Sequence, residues 1–198
     1  MSTNDFTTVM PKEAVEALFV ETRTQRSFEP EKLDRSVVDK VYDLVKWAPT
    51  ALNSSPMRVT VIESSDARDR IVERMAPVNK ENVKNAPLLL VLSYDRDFPT
   101  GMVEMGSPQE LAEKLVGNNE LALQSATMQA AYLILGLRAA GLGACPMTGG
   151  DFEGIHADLF ADSSLQPFMV FVAGSHPTEA SDSPRKGRLS AKQAVSVL

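Results

Sequence analysis

Five consecutive apolar residues, Leu88-Leu89-Leu90-Val91-Leu92, place the tightest limit on how this chain can fold. Neighbouring side chains of a strand point to opposite faces, so a run with no polar member needs apolar cover on both sides. The sheet that holds it must lie inside. Val59-Thr60-Val61-Ile62 and Phe168 to Ala173 read as further strands. Helical spacing surrounds them. Val15, Leu18 and Phe19 mark a first helix from Pro11 to about Thr22. Val37, Val41, Leu44, Val45 and Ala48 form the stripe of a second, with a capping box at Ser36-Val37-Val38-Asp39 and a stop at Pro49. Ser65 is placed to cap a third, built on Ala67, Ile71, Val72 and Met75.

The longest helical pattern runs from Asn119 to Ala140, with Gly141 as its stop. Its spacing puts Leu121, Ser125, Met128, Tyr132 and Leu135 on one face. The alanines on the rest predict a central, buried helix, suited equally to a subunit interface or to the core of one chain. Arg96 to Gly106, with Pro99 and two glycines, reads as a mobile loop or lid, and the tail from Thr178 is polar. Helices and strands mix without strict alternation, which favours an α+β fold with an internal sheet over a doubly wound parallel sheet.

Composition narrows the function classes. A chain of 198 residues, 43% hydrophobic, can bury a core without disulfide or metal support and is expected to form one domain over 1–198. A formal net charge of -6 and a pI near 5.0 argue against non-specific nucleic-acid binding, which needs surplus cations. The single cysteine, Cys145, excludes an internal disulfide and fits a reducing compartment. Met1 to Met10 is polar, unlike a signal peptide, and the apolar run Ala130 to Leu137 is too short for a bilayer, so a cytoplasmic protein is expected.

Catalytic side chains are scarce. His156 and His176 are the only histidines, and no zinc-binding spacing exists. Cys145 sits between Ala144 and Pro146 like a packing thiol, and Gly174-Ser175-His176 makes no nucleophile elbow. A cofactor that carries the reactive atom would account for this.

Four stretches have the composition of a ligand site. Thr22-Arg23-Thr24-Gln25-Arg26-Ser27-Phe28 alternates forked cations with hydroxyls, which suits a phosphate and equally a solvated helix end. In Ala48 to Pro56, Asn53 offers donor and acceptor to a heterocycle edge, or simply forms a turn. Gly141 to Asp151 is glycine-rich enough for backbone N–H groups to approach a flat ligand, but it is neither a Rossmann fingerprint nor a Walker loop. Arg185-Lys186-Gly187-Arg188 is a basic patch in an acidic chain, or an ordinary solvated tail.

Taken in order, Thr22 to Phe28, Pro49 to Pro56, Pro146 to Gly149 and Lys186-Gly187-Arg188 resemble the motifs of the nitroreductase family of FMN enzymes. The resemblance spans roughly Val15 to Ala194 and is closest to the malonic semialdehyde reductases. It implies an α/β/α sandwich with a mixed, mainly antiparallel central sheet, assembled as a homodimer with FMN at each subunit junction. It also implies hydride transfer from NADH or NADPH to a nitro compound, quinone or aldehyde by a ping-pong mechanism, with no catalytic side chain and no metal. A flavin carrier or sensor of the same fold stays open as an alternative. Arg23, Thr24, Lys186 and Arg188 would hold the phosphate, and Arg26 would face the pyrimidine end of the ring. Ala51, Leu52 and Asn53 would meet the ring or ribityl edge from the partner subunit. Pro146, Met147, Thr148 and Gly149 would line the ring's face and edge. Two positions depart from the family: Thr22 stands for its usual first arginine, and Met57-Arg58 for its frequent tryptophan.

Overall fold

The computed structural model describes residues 9–31, 33–176 and 185–198. Four strands, β1 (Met57–Val61), β2 (Leu88–Asp95), β3 (Leu142–Met147) and β4 (Leu165–Ser175), form one sheet in the order β1-β2-β4-β3. Every strand pair is antiparallel. A parallel contact is added outside the strands, where Thr24 bridges Ala144. β2 and β4 occupy the centre, as the apolar run at Leu88 to Leu92 requires.

Helices cover both faces. On one lie α2 (Ser36–Val45) and α7 (Asn119–Ala139), whose Val38, Val41, Ala126, Ala130, Leu133 and Leu137 pack on Leu88, Leu90, Leu92, Phe171 and Ala173. On the other lie α3 (Ser65–Arg74), α4 (Pro77–Asn85) and α8 (Phe152–Leu159), which bury Ile71, Val83 and Ile155 against Leu89, Val91, Val170 and Val172. This is an α+β sandwich. α1 (Lys12–Val15) continues as a wider turn over Glu16–Val20, and α9 (Ala191–Ala194) lies near the C-terminus. The polar stretch from Thr178 falls partly outside the described residues.

Several local expectations need correction. Arg96 to Gly106 is not an irregular loop: α5 (Phe98–Glu104) occupies it, followed by α6 (Gln109–Glu113). Pro99 is tolerated because it stands in the first turn, where no intrahelical N–H is required. Phe98 and Met102 anchor α5 in a small core shared with Ala112, Leu115 and Ala122. The expected capping box at Ser36 does not form: Ser36 is already the first residue of α2, and its N–H donates to the Asp34 carboxylate at 2.7 Å. Ser64, not Ser65, caps α3. Gly141 to Asp151 is not all loop, since its first half is β3.

α7, expected to be buried as a whole, is buried on one side only. Met128 and Tyr132 are exposed, and the helix buries Ala122, Ser125, Ala126, Gln129, Ala130, Leu133, Gly136 and Leu137. Small residues win because they let α2 approach closely. A Cβ on Gly136 would lie 2.5 Å from a Val45 methyl and 2.8 Å from a Val41 methyl. Gly136→Ala gains about 1 kcal/mol of helix propensity but forces overpacking that costs roughly 1–3 kcal/mol. We expect a net loss of stability in urea unfolding; a rise in the midpoint would refute the close crossing.

Candidate functional site

Three of the four stretches converge on the outer edge of β3. Residues 24–29 start on it as an arm and cross to β4: the Gln25 N–H donates to the Ala144 carbonyl of β3 at 3.0 Å, and the Glu29 N–H donates to the Ser175 carbonyl at the end of β4 at 3.3 Å. Glycine makes room for this. Gly143 and Gly174 are cross-strand neighbours. A Cβ on Gly143 would fall 2.7 Å from the Gln25 side chain, and one on Gly174 would fall 2.8 Å from Phe28. The bare sheet under the arm thus seats the two side chains that fix its path. Thr24 and Arg26, exposed, flank the buried Gln25.

The C-terminal basic segment joins the same edge. Arg185 donates through Nη2 to the Thr22 carbonyl at 2.8 Å, which ties the C-terminal segment to the start of the arm. Arg188 turns back on its own segment, donating to the carbonyls of Lys186 and Gly187 at 3.2 and 3.0 Å. Lys186 and Arg188 are exposed. Arg26 lines an open hollow facing Glu81, Asn82 and Asn85 of α4. Its charge also reaches Cys145, but burial dominates there and pushes the thiol's pKa up, away from nucleophilic use.

At the end of β3 the chain crosses the junction of α3 and α4. The Gly149 carbonyl accepts from the Ala76 N–H and from Asn79 Nδ2, both at 3.0 Å. Arg74 pairs with Asp151 at 3.1 Å and Asp158 at 2.8 Å, and the Asp151 N–H returns to the Arg74 carbonyl at 2.8 Å. Those hydrogen bonds hold the Asp158 carboxyl below the usual carboxylate range. Thr148, Gly149 and Gly150 are exposed on this braced backbone, while Met147 turns its side chain into the core.

The fourth stretch lies elsewhere. Ala51–Asn53 forms a tight turn before β1, at the same end of the sheet but on its opposite edge. Leu52, Asn53 and Ser55 all have left-handed backbones, with φ of 56°, 55° and 39°. Asn tolerates that region; for Leu and Ser it costs of order 1–3 kcal/mol each. Side chains hold the strained shape. Ser125 of α7 accepts from the Ala51 N–H at 3.2 Å, and Gln129 accepts from the Met57 N–H at 3.0 Å. Thr50 accepts from the Ser55 N–H at 3.2 Å, and Arg58 donates to the Ser55 carbonyl at 2.9 Å.

Comparison with known proteins identifies the family. The family model described as "Nitroreductase family" matches residues 20–175. The chain belongs to the nitroreductase family. It is 39% identical over 196 residues to a Streptomyces coelicolor protein with the provisional name NADH dehydrogenase/NAD(P)H nitroreductase, covering 96% of this chain and 98% of that one. A Rhodopseudomonas palustris protein of the same provisional name is 33% identical, again over 96% of this chain and 98% of its own. Among solved structures, a nitroreductase family protein from Streptococcus pneumoniae superposes with a TM-score of 0.75 at 18% identity, over 90% of this chain and 97% of that one. An Exiguobacterium sibiricum protein with the provisional name nitroreductase, solved with FMN, gives 0.73 at 19% identity, over 93% and 95%. These structures share the fold.

Membership makes the protein an oxidoreductase of this family. Among the described residues no group of three or more His, Cys, Asp or Glu could hold a metal, and no helix is long and apolar enough to cross a membrane. Sequence reading named Arg185 only as part of a basic patch, and did not single out Arg74, Asn79 or Gln129. For Gln129 a signal existed, a polar residue set among alanines on a buried face; the others act through partners distant in sequence. Gly143→Ala should push Gln25 off β3, and amide exchange at Gln25 should then accelerate at least tenfold. Unchanged protection would mean that the arm does not depend on the bare sheet.

Proposed function

We propose that this nitroreductase binds FMN along the β3 edge and passes a hydride from NADH or NADPH to a small organic acceptor in two successive half-reactions. The observation carrying this reading is the meeting of both chain ends at one edge, tied by the Arg185 to Thr22 hydrogen bond. The donor set fits the cofactor: Arg23 and Arg188 offer forked cations, Lys186 an ammonium and Thr24 a hydroxyl to a phosphate. Thr148 and Gly149 present an exposed backbone with little side-chain bulk, suited to a flat ring. Arg26, the exposed cation of the arm, would favour negative charge on the ring's pyrimidine end. Bound FMN would supply the two-electron chemistry that no side chain here can. What the chain contributes is grip, orientation and a charge environment.

Asn53 belongs to the site of a second copy. Neighbouring strands lie about 4.8 Å apart, so three spacings separate the β1 and β3 edges by roughly 14 Å. Ala51, Leu52 and Asn53 therefore stand well away from Pro146 to Gly149 of their own chain. An exposed apolar surface supports a homodimer: Leu44 and Trp47 at the end of α2, and Leu123, Met128 and Tyr132 on α7. The C-terminal Val195, Val197 and Leu198 are equally exposed, apolar and without a core of their own.

The acceptor class follows the resemblance noted above: an aldehyde such as malonic semialdehyde, a nitro compound or a quinone. The test is direct. Purified protein should retain FMN, lose its yellow colour anaerobically with NADH or NADPH, and regain it with at least one of these acceptors. Retained FMN that no nicotinamide donor bleaches would mean a flavin carrier or sensor. Failure to retain FMN would end the flavin reading.

A further inference from the structure

The guanidinium of Arg58 joins two parts of the molecule that sequence keeps apart. Nη1 donates to the Ser55 carbonyl at 2.9 Å and to the Met57 carbonyl at 3.1 Å, and Nη2 pairs with Asp95 Oδ2 at 2.9 Å. Asp95 is itself fully engaged: its Oδ1 accepts from Ser164 Oγ at 2.6 Å and from the Asp97 N–H at 2.9 Å. Asp97 then accepts from Thr100 Oγ1 at 2.9 Å, inside α5. A Cβ on Gly101 of α5 would lie 3.6 Å from Arg58 Nη2. Asp95 is only 14% exposed, which keeps the pair from being screened as a surface pair is.

The held atom matters. Ser55 carries one of the three left-handed backbones of the turn, and Thr50 and Arg58 clamp its two sides, N–H and carbonyl. A strained turn persists only where its surroundings over-determine it. Arg58 is the member of that clamp that reaches beyond the turn. We propose that Arg58 is a positioning residue: it fixes the Ala51–Ser55 turn so that Asn53 meets the flavin edge, and through Asp95 it couples that turn to α5. The inference rests on the flavin reading and deepens it. Its partners are the Ser55 and Met57 carbonyls and Asp95, so the role assigned to it is exerted through the backbone of Ser55. Lysine keeps the charge opposite Asp95 but cannot reproduce a planar fork that serves two carbonyls and a carboxylate together.

The experiment compares wild type, Arg58→Gln, Arg58→Lys and Asp95→Asn. Amide exchange at Ser55 is followed in flavin-free protein, and FMN titration and visible circular dichroism follow in the loaded dimer. Arg58→Gln and Asp95→Asn should speed exchange at Ser55 and weaken FMN binding about tenfold. Both should also alter the dichroism of bound FMN, a readout that loss of global stability alone would leave unmoved. Arg58→Lys should fall between them and wild type. If Arg58→Gln fails to fold, the isosteric Asp95→Asn carries the same comparison. Wild-type exchange at Ser55, or faster exchange with FMN affinity and dichroism unchanged, overturns the positioning role while leaving the flavin reading intact. No FMN binding by the wild type overturns both.

Discussion

The hydrogen bond from the Gln25 N–H to the Ala144 carbonyl is the contact on which the site depends. β3 is an edge strand, and an exposed edge invites any chain with free donors to pair with it. Here the N-terminal arm takes that edge over a pair of glycines, and the pairing decides where everything else lies. It sets Thr24 and Arg26 on the exposed side, sends Gln25 and Phe28 onto the sheet, and leaves Thr22 free to receive Arg185. Lost pairing would scatter two basic segments and a glycine-rich one that are far apart in the chain.

The second organising constraint is the width of the sheet. Two buried central strands, required by the apolar run at Leu88 to Leu92, keep the β1 and β3 edges apart. The turn at Ala51–Asn53 is strained and braced by Ser125, Gln129, Thr50 and Arg58. Such investment at a point remote from the β3 edge makes sense when that turn completes another copy's site. Stability and function then meet in the same network: the polar residues that α7 buries are those that shape the turn.

Much of this was legible in the sequence, and the failures have physical reasons. β1, β2 and β4 announced themselves by unbroken β-branched and apolar residues, and α7 by its length, alanines and stop at Gly141. The family was legible because four motifs keep their order, although each alone suits an ordinary turn or tail. β3 stayed hidden because Leu142-Gly143-Ala144-Cys145-Pro146-Met147 has the residues of a loop; its small side chains serve the arm that lies on it. α7 was expected to be buried as a whole, yet only one side is, because close helix contact rewards Ala126, Ala130 and Gly136 over the larger Met128 and Tyr132. α5 was missed because Pro99 and Gly101 suggest irregularity, while its anchors, Phe98 and Met102, find their core only in three dimensions. No local pattern could have paired Arg58 with Asp95 or Arg185 with Thr22, since both depend on the folded topology.

The central claim is that cations from both chain ends grip one phosphate at the β3 edge. The most direct measurement is the ratio of FMN to riboflavin affinity, which differ by that phosphate, in wild type and in a Lys186→Ala, Arg188→Ala double variant. Hydrogen bonds to charged groups contribute about 1.5–3 kcal/mol each, so the ratio should be at least a hundredfold in wild type. It should fall by roughly tenfold or more in the variant, with riboflavin binding unchanged. Equal affinity for the two flavins in the wild type would contradict the account.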